Sequence, residues 1–148
     1  MGTDLAEERI RPAILARISE RIVRGPFGEH VDFRLEKLGV DECSVRLPYR
    51  PCVANGSGVV HGGVISALID TAAVGAAWAS PRHGERTRGA TVGLTVSYLE
   101  PARGRDLLGK ARVIRRGGAI CTVEVDVVDE TGTHVARGLV TYRLREPR

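Results

Sequence analysis

The segment that most constrains the fold of this chain is an apolar stretch over residues 62–78, which directly follows a glycine-rich loop. Its length and composition predict a helix, and because apolar residues lie on nearly every side, that helix must be buried by the rest of the chain. It carries one carboxylate, Asp70, with no cation among its helical neighbours. A charged acid in apolar surroundings is costly unless something uses it, so the segment indicates a functional site as well as a core.

The elements around this helix segregate along the chain instead of alternating. Residues 4–24 predict an amphipathic helix, because isoleucine recurs at every fourth position; Thr3 or Asp4 would cap its start, and Gly25-Pro26 ends it. Alternating patterns and turn-forming residues predict strands at 35–40, 43–49, 90–99, 107–114, 119–128 and 134–144. This order predicts an α+β protein in which a curved antiparallel sheet wraps around the central helix.

The strand predicted at 90–99 has the clearest alternation. Val92, Leu94, Val96 and Tyr98 would share one face, and Thr91 would lie with the polar residues on the other face.

Composition bounds the class of protein. The 148 residues, 43% hydrophobic and 27% charged, predict one globular domain: an N-terminal helix over 1–25 and a main body over 26–148. The net charge of +4 comes mostly from scattered arginines without interleaved aromatic residues, which disfavours a nucleic acid partner. Three cysteines without a paired motif favour neither a disulfide framework nor zinc. This cysteine usage fits a reducing cytoplasm best. No stretch approaches the ~20 apolar residues that span a bilayer, so we expect no membrane partner.

Three motifs follow one another along the chain. Asn55 stands six residues before His61-Gly62-Gly63, with Asp70 downstream; the strand TVGLTVSYLEP begins at Thr91; and a turn begins at Arg116-Gly117. Together they resemble the hotdog-fold acyl-CoA thioesterases, most closely the PaaI-like branch named for the phenylacetate pathway. The resemblance covers nearly the whole chain. It implies the hotdog fold, hydrolysis of an acyl-CoA thioester to a carboxylic acid and CoA, and no cofactor besides the CoA of the substrate.

Thioester hydrolysis needs a hydrogen-bond donor to the carbonyl oxygen, a carboxylate that attacks or activates water, and groups that bind CoA. A helix N-terminus offers unpaired N–H groups and positive potential, and Gly62 and Gly63 place no side chain in front of a carbonyl. The resemblance implies that the Gly62 N–H polarises the thioester and that Asp70 is the nucleophile or the general base. The plainer alternatives are that the glycines only permit a tight turn and that Asp70 only bonds within the fold.

The resemblance also implies lesser roles for three residues. Asn55 would hold the attacking water, His61 would orient the loop or contact the thioester, and Thr91 would position water beside the acid. Each has a structural alternative: Asn55 favours a turn, His61 can serve the loop alone, and Thr91 is an ordinary β-branched strand residue.

Candidates for binding the substrate and the phosphates of CoA are glycines with open N–H groups and nearby arginines. They are Gly63, Arg88, Arg115, Arg116, Gly117 and Gly118. For each arginine taken alone, solvated surface charge is the plainer explanation.

The spacing of the two central residues predicts a site shared between subunits. Eight residues of helix separate Gly62 from Asp70, a rise of about 12 Å, whereas one thioester carbon must lie within about 3 Å of both groups. Two antiparallel helices at a dimer interface would solve this, with Gly62 of one chain facing Asp70 of the other. The resemblance implies the same shared site, and we expect a homodimer or a homotetramer built from two dimers.

Three other functions stay open on the sequence alone. A non-catalytic acyl-CoA sensor would bind without hydrolysis, although Asp70 and Asn55 together argue against it. A thioesterase for acyl groups on a carrier protein would also suit the basic loops. A hydratase would need a His and an acid placed for proton transfer at carbon, and the spacing of His61 and Asp70 favours hydrolysis instead.

Overall fold

Six strands and one long helix form the framework of the part of the chain that the structure describes. The computed structural model describes residues 9–148, so the predicted cap at Thr3 or Asp4 lies outside the described residues. The elements are α1 (Pro12–Ala16) continued by π-helical turns (Arg17–Val23), α2 (Pro26–Val31), β1 (Arg34–Gly39), β2 (Glu42–Leu47), a 3-10 turn (Pro51–Val53), α3 (Gly62–Trp78), β3 (Arg88–Tyr98), β4 (Leu107–Arg116), β5 (Ile120–Asp129) and β6 (His134–Arg145). The strands form one antiparallel sheet in the order β1-β2-β4-β5-β6-β3. The predicted α+β class and the antiparallel sheet around a central helix are confirmed.

Helix α3 lies against the inner face of the sheet and forms the centre of the core. Leu68 and Ile69 are fully buried, and the sheet offers glycines beneath them. A Cβ atom at Gly138 would stand 2.5 Å from the Ile69 side chain, so only glycine permits this close approach. The opposite side of α3 is half-exposed at every fourth residue, including Ser66 and Asp70. The helix is therefore buried as predicted, except along the stripe that carries its acid.

The N-terminal helix differs from the prediction in start and shape. Residues 9–11 are not helical, and after Ala16 the helix widens into π-helical turns in which the Arg24 N–H donates to the Ser19 carbonyl, five residues earlier (3.1 Å). As a result Val23 is fully buried, whereas Ile22 is only partly buried. A repeat of four residues is longer than the 3.6 of an α-helix, and the wide turns keep the apolar side chains on the core.

Helix α2 is absent from the prediction. Gly25-Pro26 ends the first helix as predicted, yet Pro26 also occupies the first turn of α2. Proline is tolerated there because an N-terminal N–H has no helical partner to lose. The same residue can therefore mark the end of one helix and the start of the next.

The predicted alternation in β3 is wrong at its start, where a β-bulge shifts the register between Thr91 and Gly93. Thr91 lies opposite the buried Tyr142, and Tyr98 opposite the buried Ala136, so both face α3. Val92, predicted to share that face, lies in the bulge itself, where the register passes directly from Thr91 to Gly93. A bulge adds one residue to one strand and so re-aims the residues before it. In this molecule it turns Thr91 towards the helix.

Strand β3 is an edge of the sheet and carries exposed apolar side chains. Val92, Leu94 and Tyr98 are 56%, 42% and 54% exposed. A long edge strand with apolar side chains is a template for pairing with another chain.

None of the helices within residues 9–148 is long and apolar enough to cross a membrane.

Candidate active site

Among residues 9–148, one N–H group in the first turn of α3 has no hydrogen-bond partner. The side chain of His61, the residue that caps the helix, accepts a hydrogen bond from the Gly63 N–H (2.8 Å), and the His61 carbonyl accepts from Val64 and Ile65 (2.9 and 3.1 Å). Within residues 9–148 the Gly62 N–H makes no such bond. The helix therefore presents the donor that the sequence singles out, while Gly63 is occupied.

The cap also fixes the proton of the His61 ring. The acceptor in the bond from Gly63 is Nδ1, so this nitrogen carries no hydrogen. In a neutral imidazole the proton must then lie on Nε2, which becomes a donor. His61 is exposed, so that donor is accessible to a bound molecule.

Asp70 is half-exposed and held by one side-chain contact. Its Oδ1 accepts a hydrogen bond from the Thr91 hydroxyl (2.8 Å), which the bulge in β3 makes possible. Within the described part of the chain Oδ2 has no hydrogen-bond partner. The structure thus brings together the predicted acid and the predicted Thr91, and one carboxylate oxygen is left for chemistry.

Gly62 and Asp70 do not meet within one chain. They lie on the same side of α3, eight residues apart, which corresponds to a rise of about 12 Å. Among residues 9–148 no three His, Cys, Asp or Glu side chains converge as metal ligands would. What α3 offers is an N–H donor at its first residue and a carboxylate about two turns further along.

Asn55 serves its own loop with one of its two polar atoms. Its Oδ1 accepts from the Ser57 and Val59 N–H groups (2.9 and 3.2 Å), the turn role that the sequence left open. The side-chain NH₂ makes no hydrogen bond within the described residues. Asn55 also lines a cleft of about 340 Å³ beside Gly62, with Ile65 and Tyr98 among the other walls.

Two residues of this region are absent from the sequence-based site. The Tyr98 hydroxyl donates to the Gly62 carbonyl (2.7 Å) and lies 2.6 Å from the Ser66 hydroxyl. Ser66 is one helical turn after Gly62 and one before Asp70, a spacing that could have indicated it. Tyr98 gave no such signal, because its partners lie far away in sequence.

The basic candidates lie elsewhere. Arg88 donates to the carbonyls of Glu85 and Thr87 (3.3 and 3.1 Å), and Arg115 is exposed. Gly117 closes a turn by donating to the Ile120 carbonyl (2.8 Å). Gly118 in that turn is exposed. The structure does not bring any of these residues to Gly62 of the same chain.

Arg116 caps the far end of α3. Its guanidinium donates to the carbonyls of Ala77 (2.9 Å) and Ala76 (3.4 Å) and to Asp41 (2.7 Å), and its side chain is only 11% exposed. A cation at this position satisfies the last carbonyls of the helix and matches the negative end of its dipole. Arg116 therefore caps the C-terminus of α3, and its contact with a phosphate of CoA stays a prediction.

His83 completes this cap and gives a pH prediction. Burial and then the charge of Arg116, 3.1 Å away, lower the pKa of His83, whereas Glu146 and the Ala77 backbone act in the opposite direction. The unfolded chain then takes up a proton first, so stability is full above the ordinary pKa near 6.5 and falls as pH drops towards the lower folded pKa. We expect wild-type protein to lose more unfolding free energy between pH 7.5 and 5.5 than His83→Gln, measured by denaturant titration. Equal losses would contradict this.

Known proteins resemble this chain in sequence and in fold. The family model described as the thioesterase superfamily matches residues 57–136. A Halobacterium salinarum protein named as an inferred esterase is 38% identical over 122 residues, 74% of this chain and 78% of its own. The medium/long-chain acyl-CoA thioesterase YigI of Escherichia coli is 25% identical over 130 residues, 79% of this chain and 84% of its own. The solved structure of a mutant of the phenylacetic acid degradation protein PaaI from Thermus thermophilus superposes with a TM-score of 0.72 at 25% identity, covering 80% of this chain and 97% of that one. The resemblance to PaaI-like hotdog thioesterases is confirmed.

Proposed function

The chain belongs to the thioesterase superfamily, and we propose that it hydrolyses acyl-CoA thioesters to a carboxylic acid and free CoA. The observation that carries the proposal is that α3 holds both the Gly62 N–H and the Oδ2 of a half-exposed Asp70, neither of which has a hydrogen-bond partner within residues 9–148. The E. coli relative, named as an acyl-CoA thioesterase, supports CoA as the thiol of the substrate.

The chemistry follows from those two groups. The Gly62 N–H donates to the thioester oxygen, where negative charge develops as the carbonyl carbon becomes tetrahedral. Asp70 either attacks that carbon through Oδ2 or takes a proton from a water molecule that attacks it. Collapse of the intermediate breaks the C–S bond, and the thiolate of CoA leaves and is protonated. If water attacked, the acyl group leaves as the carboxylic acid. If Asp70 attacked, the acyl group stays on Asp70 as an anhydride, which a water molecule then hydrolyses to release the acid and restore the carboxylate. Thr91 holds Oδ1, so Oδ2 is the oxygen presented to the substrate.

We further propose that the site is shared by two copies of the chain. The exposed apolar edge of β3 is suited to pairing with the β3 of a second copy, which would cover Val92, Leu94 and Tyr98. Such a homodimer would let Gly62 of one subunit face Asp70 of the other, which the rise of about 12 Å along α3 prevents within one chain. A homotetramer would then be a pair of these dimers.

The remaining polar groups are proposed to bind the substrate. The His61 Nε2–H and the Asn55 amide are further donors beside Gly62, suited to the thioester oxygen or the attacking water. Exposed Arg88 and Arg115, together with the turn at Gly117-Gly118, are proposed to meet the phosphates of CoA.

The direct test is release of free thiol from a panel of short-chain, long-chain and aromatic acyl-CoAs. We expect hydrolysis of at least one class. The same acyl groups attached to a carrier protein form a second arm, and faster hydrolysis there would reassign the thiol of the substrate. Tight binding of acyl-CoA without release of thiol would contradict hydrolysis and favour a sensor.

A further inference from the structure

A continuous chain of hydrogen bonds runs through the head of α3. The Ser66 hydroxyl lies 2.6 Å from the Tyr98 hydroxyl, which lies 2.7 Å from the Gly62 carbonyl oxygen. That carbonyl belongs to the same peptide group as the Gly63 N–H, which donates to Nδ1 of His61 (2.8 Å). These hydrogen bonds therefore link Ser66 to the His61 ring through the Tyr98 phenol and the Gly62-Gly63 peptide group.

The donor and acceptor of each hydrogen bond in this series are fixed by the groups involved. The Gly62 carbonyl can only accept, so the single proton of Tyr98 points at it. Ser66 must then donate to the Tyr98 oxygen. At the other end Nδ1 of His61 accepts, which leaves the ring proton on Nε2. All donors point the same way, and hydrogen bonds aligned head to tail polarise one another.

These hydrogen bonds hold both the carbonyl and the N–H of the Gly62-Gly63 peptide group. Glycine restricts the backbone least of all residues, so consecutive glycines leave the first turn of a helix poorly fixed. Here the Tyr98 hydroxyl binds the oxygen of that peptide and His61 binds its N–H. The Tyr98 ring also lies close to Gly62, 3.4 Å from where a Cβ atom would stand. The residue that offers the free N–H is therefore fixed by side chains from outside.

We propose that Tyr98, supported by Ser66, is a positioning residue for the proposed hydrolysis. Its hydroxyl fixes the Gly62-Gly63 peptide, aligns the Gly62 N–H with the thioester oxygen and strengthens the donor at Nε2 of His61. Tyr98 itself touches no reacting atom. The inference rests on the proposed function for its effect on rate, and on the hydrogen bonds alone for its effect on structure.

The test compares Tyr98→Phe with Tyr49→Phe. The first keeps the ring against Gly62 and removes only the hydroxyl. The second removes a hydroxyl that makes no hydrogen bond within residues 9–148. We expect Tyr98→Phe to lower kcat roughly tenfold with KM within about twofold, because a small misalignment of a catalytic donor is costly. Tyr49→Phe should match wild type.

Ser66→Ala tests the support given to Tyr98. The single variant should lower kcat less than Tyr98→Phe does. The double variant should be no slower than Tyr98→Phe alone, because both substitutions interrupt the same series of hydrogen bonds. Full kcat in Tyr98→Phe would contradict the inference. So would additive losses in the double variant.

A second readout separates this inference from the proposed function. In nitrogen NMR spectra the two His61 ring nitrogens should differ strongly in wild type, with the proton on Nε2. Tyr98→Phe should shift these signals and the Gly63 amide, and Tyr49→Phe should not. If wild type released no thiol while these shifts occurred, the proposed function would fail and the structural role of Tyr98 would stand. Unchanged spectra in Tyr98→Phe would overturn that role.

Discussion

Asp70→Asn should lower kcat for acyl-CoA hydrolysis by about a thousandfold or more, because an amide is neither a nucleophile nor a base at neutral pH. The substitution preserves size, and the new side chain can still accept the hydrogen bond from Thr91 through its remaining oxygen. Thermal unfolding should therefore change little. The measurement is steady-state release of thiol, with the unfolding temperature followed in parallel.

Asp126→Asn is the matched control for that experiment. Asp126 lies on the outer face of β5, where it pairs with Arg137 (3.6 Å) and faces away from α3. It should keep wild-type kcat. Activity of Asp70→Asn within a few fold of the control would remove Asp70 from the mechanism.

Gly62→Pro should lower kcat by about 10²- to 10³-fold, the effect of deleting one oxyanion-hole donor. Proline lacks an N–H but is tolerated at the first position of a helix. The preceding residue, His61, has ψ of 131°, which suits a residue before proline. The fold should therefore survive the change.

Gly62→Ala provides the comparison, because it adds a Cβ at the same place and keeps the N–H. That Cβ would stand 3.4 Å from the Tyr98 ring, an ordinary contact. We expect Gly62→Ala to lose far less activity than Gly62→Pro, measured as kcat at saturating substrate. Equal losses would mean that crowding at Gly62, and not the missing donor, is responsible.

The central helix and the sheet could be predicted because their signals are local. An apolar run of this length with a glycine-rich start leaves little choice but a buried helix, and alternation with turn residues defines the strands. Asp70 could also be identified from the sequence, since it is the one charged residue in α3.

The contacts that orient the site could not be predicted, because they depend on long-range register. Thr91 reaches Asp70 only through a bulge, and a one-residue shift moves a side chain to the other face of a sheet. Tyr98 reaches Gly62 across 36 positions of sequence. Arg116 binds the Ala77 carbonyl at the end of α3, a contact between residues far apart in sequence. Its neighbours in sequence, a second arginine and a glycine turn, indicate only a phosphate site.

The claim on which the account depends is that Gly62 and Asp70 act together from different subunits. Co-expression of Asp70→Asn with Gly62→Pro, each inactive alone, tests it directly by release of thiol. With random pairing about half of the dimers are mixed, and each mixed dimer holds one intact site, so roughly a quarter of wild-type activity should return. If both groups came from the same chain, no mixed dimer would contain an intact site, and activity no higher than that of the separate variants would contradict the account.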